Sequence, residues 1–297
     1  MLSFRLILKV NIQLPDTMRD IVFTYDLEKH TQTLHSQKRY VKITEDLLDF
    51  LTRHDIHCTI FVLGELAEES PELIKKLANC GHEIAFHTYQ HRHLTQEKPE
   101  TFRKETEYCK KLIEDLTGQP LIGFRAPAFS LTHESLWALD VLKELGFTYS
   151  SSVLPVRNPI NGFPGAPEHP FYWSNGILEI PSPVTRAGPL AIPFLGGIYL
   201  RYLPYKIINY MLTKSADSSC LWTYCHPHDF DHEEEFYVIR GTSFITSLLL
   251  WMNRKNTFSK LEKFANNNNI AFEGTFQKLV ESGRFDSAPV FRPVGTN

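Results

Sequence analysis

From about residue 20 to 153 the chain alternates short apolar runs with amphipathic segments, the pattern of strand–helix units built into a parallel sheet or barrel. The strand-like runs are Ile21 to Tyr25, Cys58 to Leu63, His82 to His87, Leu121 to Phe124 and Phe147 to Val153. Helix-like segments lie between them near 43–53, 70–79, 100–117 and 133–145; the third opens after Pro99 and closes at Gly118, and Gly81 and Gly146 close two others. From Pro155 to about Gly197 the pattern gives way to a Pro/Gly-rich stretch, a short ILEIP strand signal and a GPLAIPFLGG segment, expected to be an excursion of loops and short strands near the mouth of the fold. Regularity resumes with a helix around 204–214, an apolar strand LWTYCH at 221–226, and helices near 242–253 and 257–267. The expected organisation is an N-terminal extension (1–19), an α/β barrel-like body (20–235) including the excursion at 155–197, and a C-terminal helical part of the same domain (236–297).

Composition narrows the function classes. A chain of 297 residues can bury one large core without disulfides. Its five cysteines are an odd number without a CxxC pair, which argues against a disulfide framework or a cysteine-zinc site and suits a reducing cytoplasm. The opening segment MLSFRLILKVNIQLPD is interrupted by Arg5, Lys9 and Asn11, too soon for a signal peptide, and no stretch approaches the ~20 apolar residues of a membrane span. A net charge of −3 with no dense Lys/Arg stripe points away from nucleic acid and toward a small or neutral partner. No motif fixes an oligomeric state.

Four motifs carry candidate chemistry, three of them where a strand ends, the place where barrel and open-sheet enzymes put reactive groups. In TYDLE (24–28), Asp26 and Glu28 are two apart and share a face of an extended strand, so one could bind a metal while the other handles a proton. In HTYQH (87–91), an i,i+4 pair, His87 and His91, can share a metal from one side of a helical turn. A stray HxxxH is common in a chain with thirteen histidines, but with one carboxylate the pair makes a set that leaves coordination positions open for water and substrate. In RAPAFS (125–130), Arg125 at the barrel mouth could orient a carboxylate through a bidentate hydrogen bond, and Pro127 leaves Ala128 as the next free backbone donor. In TYCHP (223–227) a strand ends in His226. A nucleophilic serine is the weaker reading, since there is no GxSxG and neither Ser130 nor the serines at 150–152 have a base at a telling spacing.

The joint, ordered occurrence of these carboxylates, HxxxH, RxPxxS and the strand-terminal HP, with the connecting text FVLGELAEESPELIKKLANCGHEIAFH, resembles the polysaccharide deacetylase family (carbohydrate esterase family 4 type) over about residues 20–235. Within it the chain is similar to the branch associated with exopolysaccharide and surface-glycan biosynthesis. The resemblance implies a distorted (β/α) barrel of about seven strands and a hydrolase that removes an N-acetyl group from an amino sugar. It implies Asp26 as general base held by Arg125, Glu28, His87 and His91 as ligands of a divalent metal, zinc or a similar ion, and His226 as general acid. Related sequences often carry an aspartate in the strand read here as TYSSS, where it orients the acid histidine; this chain has Ser150. The HP motif is also commonly followed by an aromatic residue and an acid, whereas His228 and Asp229 follow here. The alternatives are a barrel amidohydrolase acting on a formamido sugar or a non-sugar amide, and an inactive glycan-binding homologue. The aromatics of FYW (171–173) and YLRYLPY (199–205) would suit stacking on sugar faces, although aromatics are more often core. The expected setting is the cytoplasm, acting on a glycan precursor, with the N-terminal segment touching the membrane where lipid-linked sugars reside.

Overall fold

The computed structural model describes residues 18–29, 38–157, 161–187, 190–215, 220–239 and 241–293. The segment expected to touch the membrane lies outside the described residues. Among the described residues there are twelve strands: β1 (Arg19–Leu27), β2 (Cys58–Val62), β3 (Glu83–Phe86), β4 (Gly123–Phe124), β5 (Tyr149–Ser150), β6 (Phe171–Trp173), β7 (Leu178–Glu179), β8 (Thr185–Ala187), β9 (Leu190–Ile192), β10 (Leu221–Trp222), β11 (Ile270–Phe272) and β12 (Val290–Phe291). The sheet runs β10-β1-β2-β3-β4-β5-β7, seven strands all parallel to their neighbours, matching the expected strand number. It is longer than expected at its ends: β6 pairs antiparallel with β7, β12 extends β6, and β11 pairs with β1 at Arg19 to Ile21. The result is a curled parallel half-barrel wrapped in helices, a distorted (β/α) barrel.

The central strands are buried along nearly their whole length, as a strand covered on both faces must be, and accordingly read as apolar runs rather than alternating ones. The α-helices of the described residues are α1 (Arg39–Arg53), α2 (Gly64–Glu69), α3 (Pro71–Asn79), α4 (Pro99–Thr117) and α5 (Trp137–Glu144), followed in the second half by α6 (Gly197–Tyr202), α7 (Tyr205–Lys214), α8 (Pro227–Phe230), α9 (Phe244–Trp251), α10 (Thr257–Ala265) and α11 (Phe276–Glu281). In α1 the buried positions Tyr40, Ile43, Thr44, Leu47, Leu48 and Leu51 recur at helical spacing, so one stripe faces the sheet. Fully burying each large apolar side chain of such a stripe contributes about 1.5–3 kcal/mol. Gly118 ends α4 at φ 68°, a left-handed cap that glycine adopts without a Cβ penalty.

The first β-strand and the tenth sit at one edge, while β7 lies at the far end of the parallel run. Trp222 spans the gap between β10 and β7 by donating its indole N–H to the Pro181 carbonyl at 3.0 Å. At the opposite end of the barrel from the strand C-termini, Glu83 accepts hydrogen bonds from Thr59 and Tyr149, each at 2.7 Å, and from the Gln277 N–H of α11 at 2.9 Å. The C-terminal part thereby joins the body through both β11 and α11. Strand expectation was too long at LWTYCH: β10 covers only Leu221–Trp222, and beyond it the contact with β1 continues as an isolated bridge, Tyr25 with Cys225.

Candidate metal and proton-transfer site

Backbone hydrogen bonds of the parallel ladder, at the end of a strand or just past it, place most of the candidate residues. The Asp26 N–H donates to the Cys225 carbonyl at 2.8 Å, which sets His226 beside Asp26. The His87 N–H donates to Val62 O at 2.9 Å, and the Arg125 N–H to Phe86 O at 2.9 Å. Asp26, Glu28, His87, Arg125 and His226 therefore converge at the C-terminal ends of β1, β3, β4 and β10, where a parallel barrel gathers groups from separate strands.

His91 arrives by a different route from the expected helical turn. Residues 87–91 are not helical: Thr88 and His91 sit at φ 66° and 58°, left-handed values costly for a β-branched residue and uncommon for any residue but glycine. What holds this loop is the N-terminus of α2, whose Gly64 and Glu65 N–H groups donate to the Thr88 and Tyr89 carbonyls at 2.9 and 3.1 Å. These are donors a helix start leaves without intrahelical partners. The close approach requires glycine: a Cβ on Gly64 would meet Cys109 Sγ at 2.3 Å and Tyr89 Cδ2 at 2.7 Å.

In this arrangement His87 Nε2 and His91 Nε2 lie 3.2 and 2.9 Å from the same oxygen, Glu28 Oε1. His87 Nδ1 is 2.8 Å from the Arg125 carbonyl, which can only accept, so Nδ1 carries the proton. In the neutral ring, Nε2 then presents a lone pair to a carboxylate. Two acceptors this close need positive charge between them, a proton or a cation, and that is the donor set and tautomer of a two-histidine, one-carboxylate metal site. The ligand atoms of Glu28, His87 and His91 lie within 4.8 Å of one another. Burial by itself would raise the Glu28 carboxyl, but the imidazoles of His91 and His226 hold it well below the usual carboxylate range. Burial likewise disfavours the charged form of His91, and Glu28 outweighs it and raises the pKa.

Arg125 is not at the mouth. It is fully buried inside the barrel, with its guanidinium 3.9 Å from the Phe61 ring centre and 4.2 Å from that of Trp222. Nor is its grip on Asp26 bidentate: Nη1 donates to Asp26 Oδ1 at 2.5 Å and to Thr24 Oγ1 at 2.8 Å, while Nη2 and Nε donate to the Ser151 hydroxyl and carbonyl at 3.0 and 3.2 Å. Four acceptor atoms from three residues divide the fork, and this fixes both the arginine and the one carboxylate oxygen it holds. The other oxygen, Oδ2, faces His226 Nε2 at 3.8 Å.

The opposite nitrogen of His226, Nδ1, lies 2.9 Å from Asp229 Oδ2. Burial would lower the His226 pKa, but Glu28, Asp229 and Asp26 outweigh it and raise it to about 9. The neighbouring His228 stacks on it, centres 4.8 Å apart and planes at 13°, and is itself pushed down to about 3 by burial. His226, His228 and Asp229 also fall within the span of a metal-sized cluster, but Asp229 Oδ1 there lies against the Arg201 guanidinium at 2.9 Å, a charge that repels a cation.

Ser130, Ser150 and the FYW segment have other tasks, and Ala128 keeps its place beside them in the loop after Arg125. Ala128 is exposed with φ 50° in the turn Pro127–Phe129, and its carbonyl accepts from Asn161 at 2.9 Å. Ser130 is buried and accepts the Leu94 N–H at 3.1 Å, tying the RAPAFS loop to the segment after His91. Ser150 contacts Ser152 at 2.8 Å rather than His226. In FYW, Phe171 and Trp173 are buried and pack with Phe163 and Phe291, so this segment is core and not a sugar platform. Asp229 is the site-lining acid whose role in holding His226 the sequence did not reveal; its only signal was its place two residues after Pro227.

Residues 15–150 match the polysaccharide deacetylase family model, and residues 151–280 match a domain of unknown function, DUF3473. The chain is 32% identical over 101 residues to a peptidoglycan-N-acetylglucosamine deacetylase of Bacillus cereus, which covers 34% of this chain and 37% of that protein. It is 33% identical over 99 residues to a chitooligosaccharide deacetylase of a Bradyrhizobium species, 33% of this chain and 43% of that one. The matched segment thus spans less than half the length of these relatives. In overall shape it is similar to a candidate polysaccharide deacetylase from Mycobacterium smegmatis, with a TM-score of 0.61 at 16% identity, covering 95% of this chain and 96% of that one. Five of the six site residues expected from the sequence fall in the first matched segment and His226 in the second, so the two segments build one site. Residues 15–150 therefore form a polysaccharide deacetylase family domain.

Proposed function

We propose that this protein hydrolyses the N-acetyl group of an amino sugar in a glycan or glycan precursor, with a divalent cation held by Glu28, His87 and His91. The observation that carries this reading is the convergence of His87 Nε2 and His91 Nε2 on Glu28 Oε1, with Asp26 and His226 facing one another 3.8 Å apart beside it. Glu28, His87 and His91 would hold the ion, whose chemistry when bound would be to acidify a water and polarise an acyl carbonyl.

The chain's own groups divide the proton work. Asp26, fixed through Oδ1 by Arg125, has Oδ2 turned to the site and takes the proton of the attacking water. His226 has Nδ1 engaged by Asp229, so its Nε2 proton is the one available to the leaving nitrogen. An amine leaves poorly without that proton, which is why an acid with a raised pKa suits an amide substrate. No covalent intermediate is needed, and Ser130 and Ser150 are committed to structural hydrogen bonds.

The substrate in this reading is an N-acetylhexosamine unit made for a surface polysaccharide, met in the cytoplasm. Relatives named for peptidoglycan and chitooligosaccharide deacetylation support the sugar class, and five free thiols suit a reducing compartment. Among the described residues no helix is long and apolar enough to cross a membrane. The test is acetate release from a panel of free, lipid-linked and polymeric N-acetylated sugars, with cell fractionation in parallel. Release from small or lipid-linked sugars by a protein recovered in the cytoplasm is expected; release from finished wall polymers alone, or recovery outside the cell, would overturn the substrate assignment.

A further inference from the structure

The resemblance implies a carboxylate behind the acid histidine, supplied from the strand position that here holds Ser150. The surrounding serines cannot substitute. Ser150 Oγ donates to Ser152 Oγ, Ser152 Oγ accepts the Ala126 N–H at 2.8 Å, and Ser151 Oγ accepts from Arg125 and donates to Ile180 O at 3.0 Å. The backbone of the same segment is held by Glu179, whose Oε1 accepts the Ser152 and Val153 N–H groups at 2.6 and 2.9 Å. All three hydroxyls are spent on fixing Arg125 and the strand end.

The carboxylate arrives instead from the helical turn that follows His226. Pro227 starts α8, and Asp229 at its third position turns back so that Oδ2 accepts both the His226 backbone N–H at 3.0 Å and Nδ1–H at 2.9 Å. This is a capping box whose side chain also orients the capped residue's ring. Asp229 is fully buried, and a buried carboxylate needs a positive partner. That partner is Arg201 of α6, itself 2% exposed, with Nε 2.9 Å from Asp229 Oδ1 as a charge contact rather than an aligned hydrogen bond. Arg201 is in turn anchored through Nη1 to the Leu250 and Met252 carbonyls at the end of α9, at 2.6 and 3.1 Å. The Thr257 hydroxyl donates to the Asp229 carbonyl at 2.7 Å, so the turn is fastened to α10 as well.

We propose that Asp229, backed by Arg201, is the positioning pair for His226: it fixes the ring so that Nδ1 keeps its proton and Nε2 faces Asp26 and the leaving nitrogen. This deepens the function proposed above and rests on His226 being the general acid. Both residues lie in the segment matched as a domain of unknown function, which gives that segment a task in the chemistry of the first. Both residues are buried, and neither is among the proposed ligands of the cation.

A single substitution is a poor test, because removing one member strands the other as a buried charge and can unfold the turn. The variant of choice is Asp229→Asn with Arg201→Gln, which removes both charges and leaves a neutral amide at each position; Asp229→Asn alone and His226→Ala accompany it. The readouts are metal content, melting temperature, and turnover of an N-acetyl amide against an activated acetate ester, whose leaving group needs no proton. The double variant is expected to keep its metal and recover stability over the single one, yet lose roughly 10- to 100-fold on the amide with little change on the ester. If the double variant recovered wild-type amide turnover together with its stability, the pair would be structural only and the proposal overturned. His226→Ala separates the two levels. Equal losses on amide and ester there would overturn the acid reading itself and this proposal with it, whereas amide-selective loss in His226→Ala without it in the double variant would overturn the pair alone.

Discussion

Asp26 and Glu28 stand two residues apart and are asked to do different things, and their neighbours explain the division. Asp26 answers the charge of Arg125, a guanidinium stripped of water between two aromatic rings, while Glu28 faces two imidazoles. Asp26→Asn is therefore expected to keep the metal and lose about 10²–10⁴ in rate, the usual span for a positioned base. Metal analysis beside the rate decides it: loss of the ion in Asp26→Asn with retention in Glu28→Gln would exchange the two roles. The residue types of this site were readable from the sequence because chemistry restricts them to carboxylates, imidazoles and a guanidinium. Their geometry was less so. Nothing in HTYQH announces left-handed backbone at Thr88 and His91, since strain in a non-glycine residue is imposed by surrounding structure. Arg125 read as a mouth residue because a charged side chain after a strand is normally solvated; its burial depends on Phe61 and Trp222, which come from strands distant in sequence.

At the scale of elements, the site depends on a helix that holds no ligand. The N-terminus of α2 fixes the loop carrying His91, and Gly64 permits the approach. Gly64→Ala is expected to cost on the order of 1–3 kcal/mol through overpacking and to weaken metal affinity, because the new methyl presses on Tyr89, two residues before His91. Denaturant unfolding and metal titration check the two effects; a variant destabilised but with unchanged affinity would show that the loop is fixed from elsewhere. This helix was absent from the sequence expectation, as its six residues GELAEE are too few to display a helical period. The long helices were legible: α4 was expected at 100–117 and spans Pro99–Thr117, bounded by proline and glycine. Short strands were not, because β11 and β12 take their identity from partners in β1 and β6 rather than from their own three and two residues.

For the whole molecule, the seven parallel strands leave an unclosed sheet, and residues beyond 235 complete what the curled sheet leaves open. β11 covers the start of β1, and the N-terminus of α11 supplies N–H groups to Glu83 and Thr59 on the barrel floor, with Phe276 N–H donating to Thr59 Oγ1 at 2.8 Å. Burial raises the Glu83 carboxyl, which makes these donors matter more. We propose that 236–297 is part of the same folding unit as the barrel body. A chain ending at residue 235 is expected to lack a cooperative thermal transition, against a single one for the full chain; a truncated protein that melts sharply and keeps its metal would separate the two parts.

The central claim is that Glu28, His87 and His91 hold an ion on which amide hydrolysis depends. The most direct measurement is acetate release from N-acetylglucosamine oligomers by the purified chain, before chelation, after it, and after return of one equivalent of a divalent ion, with the His87→Ala, His91→Ala double variant treated in parallel. The account predicts activity lost on chelation and restored by the ion in the wild-type chain, and a folded double variant that neither binds the ion nor regains activity. Acetate release that persists in metal-free protein, or full metal in the double variant, would contradict it.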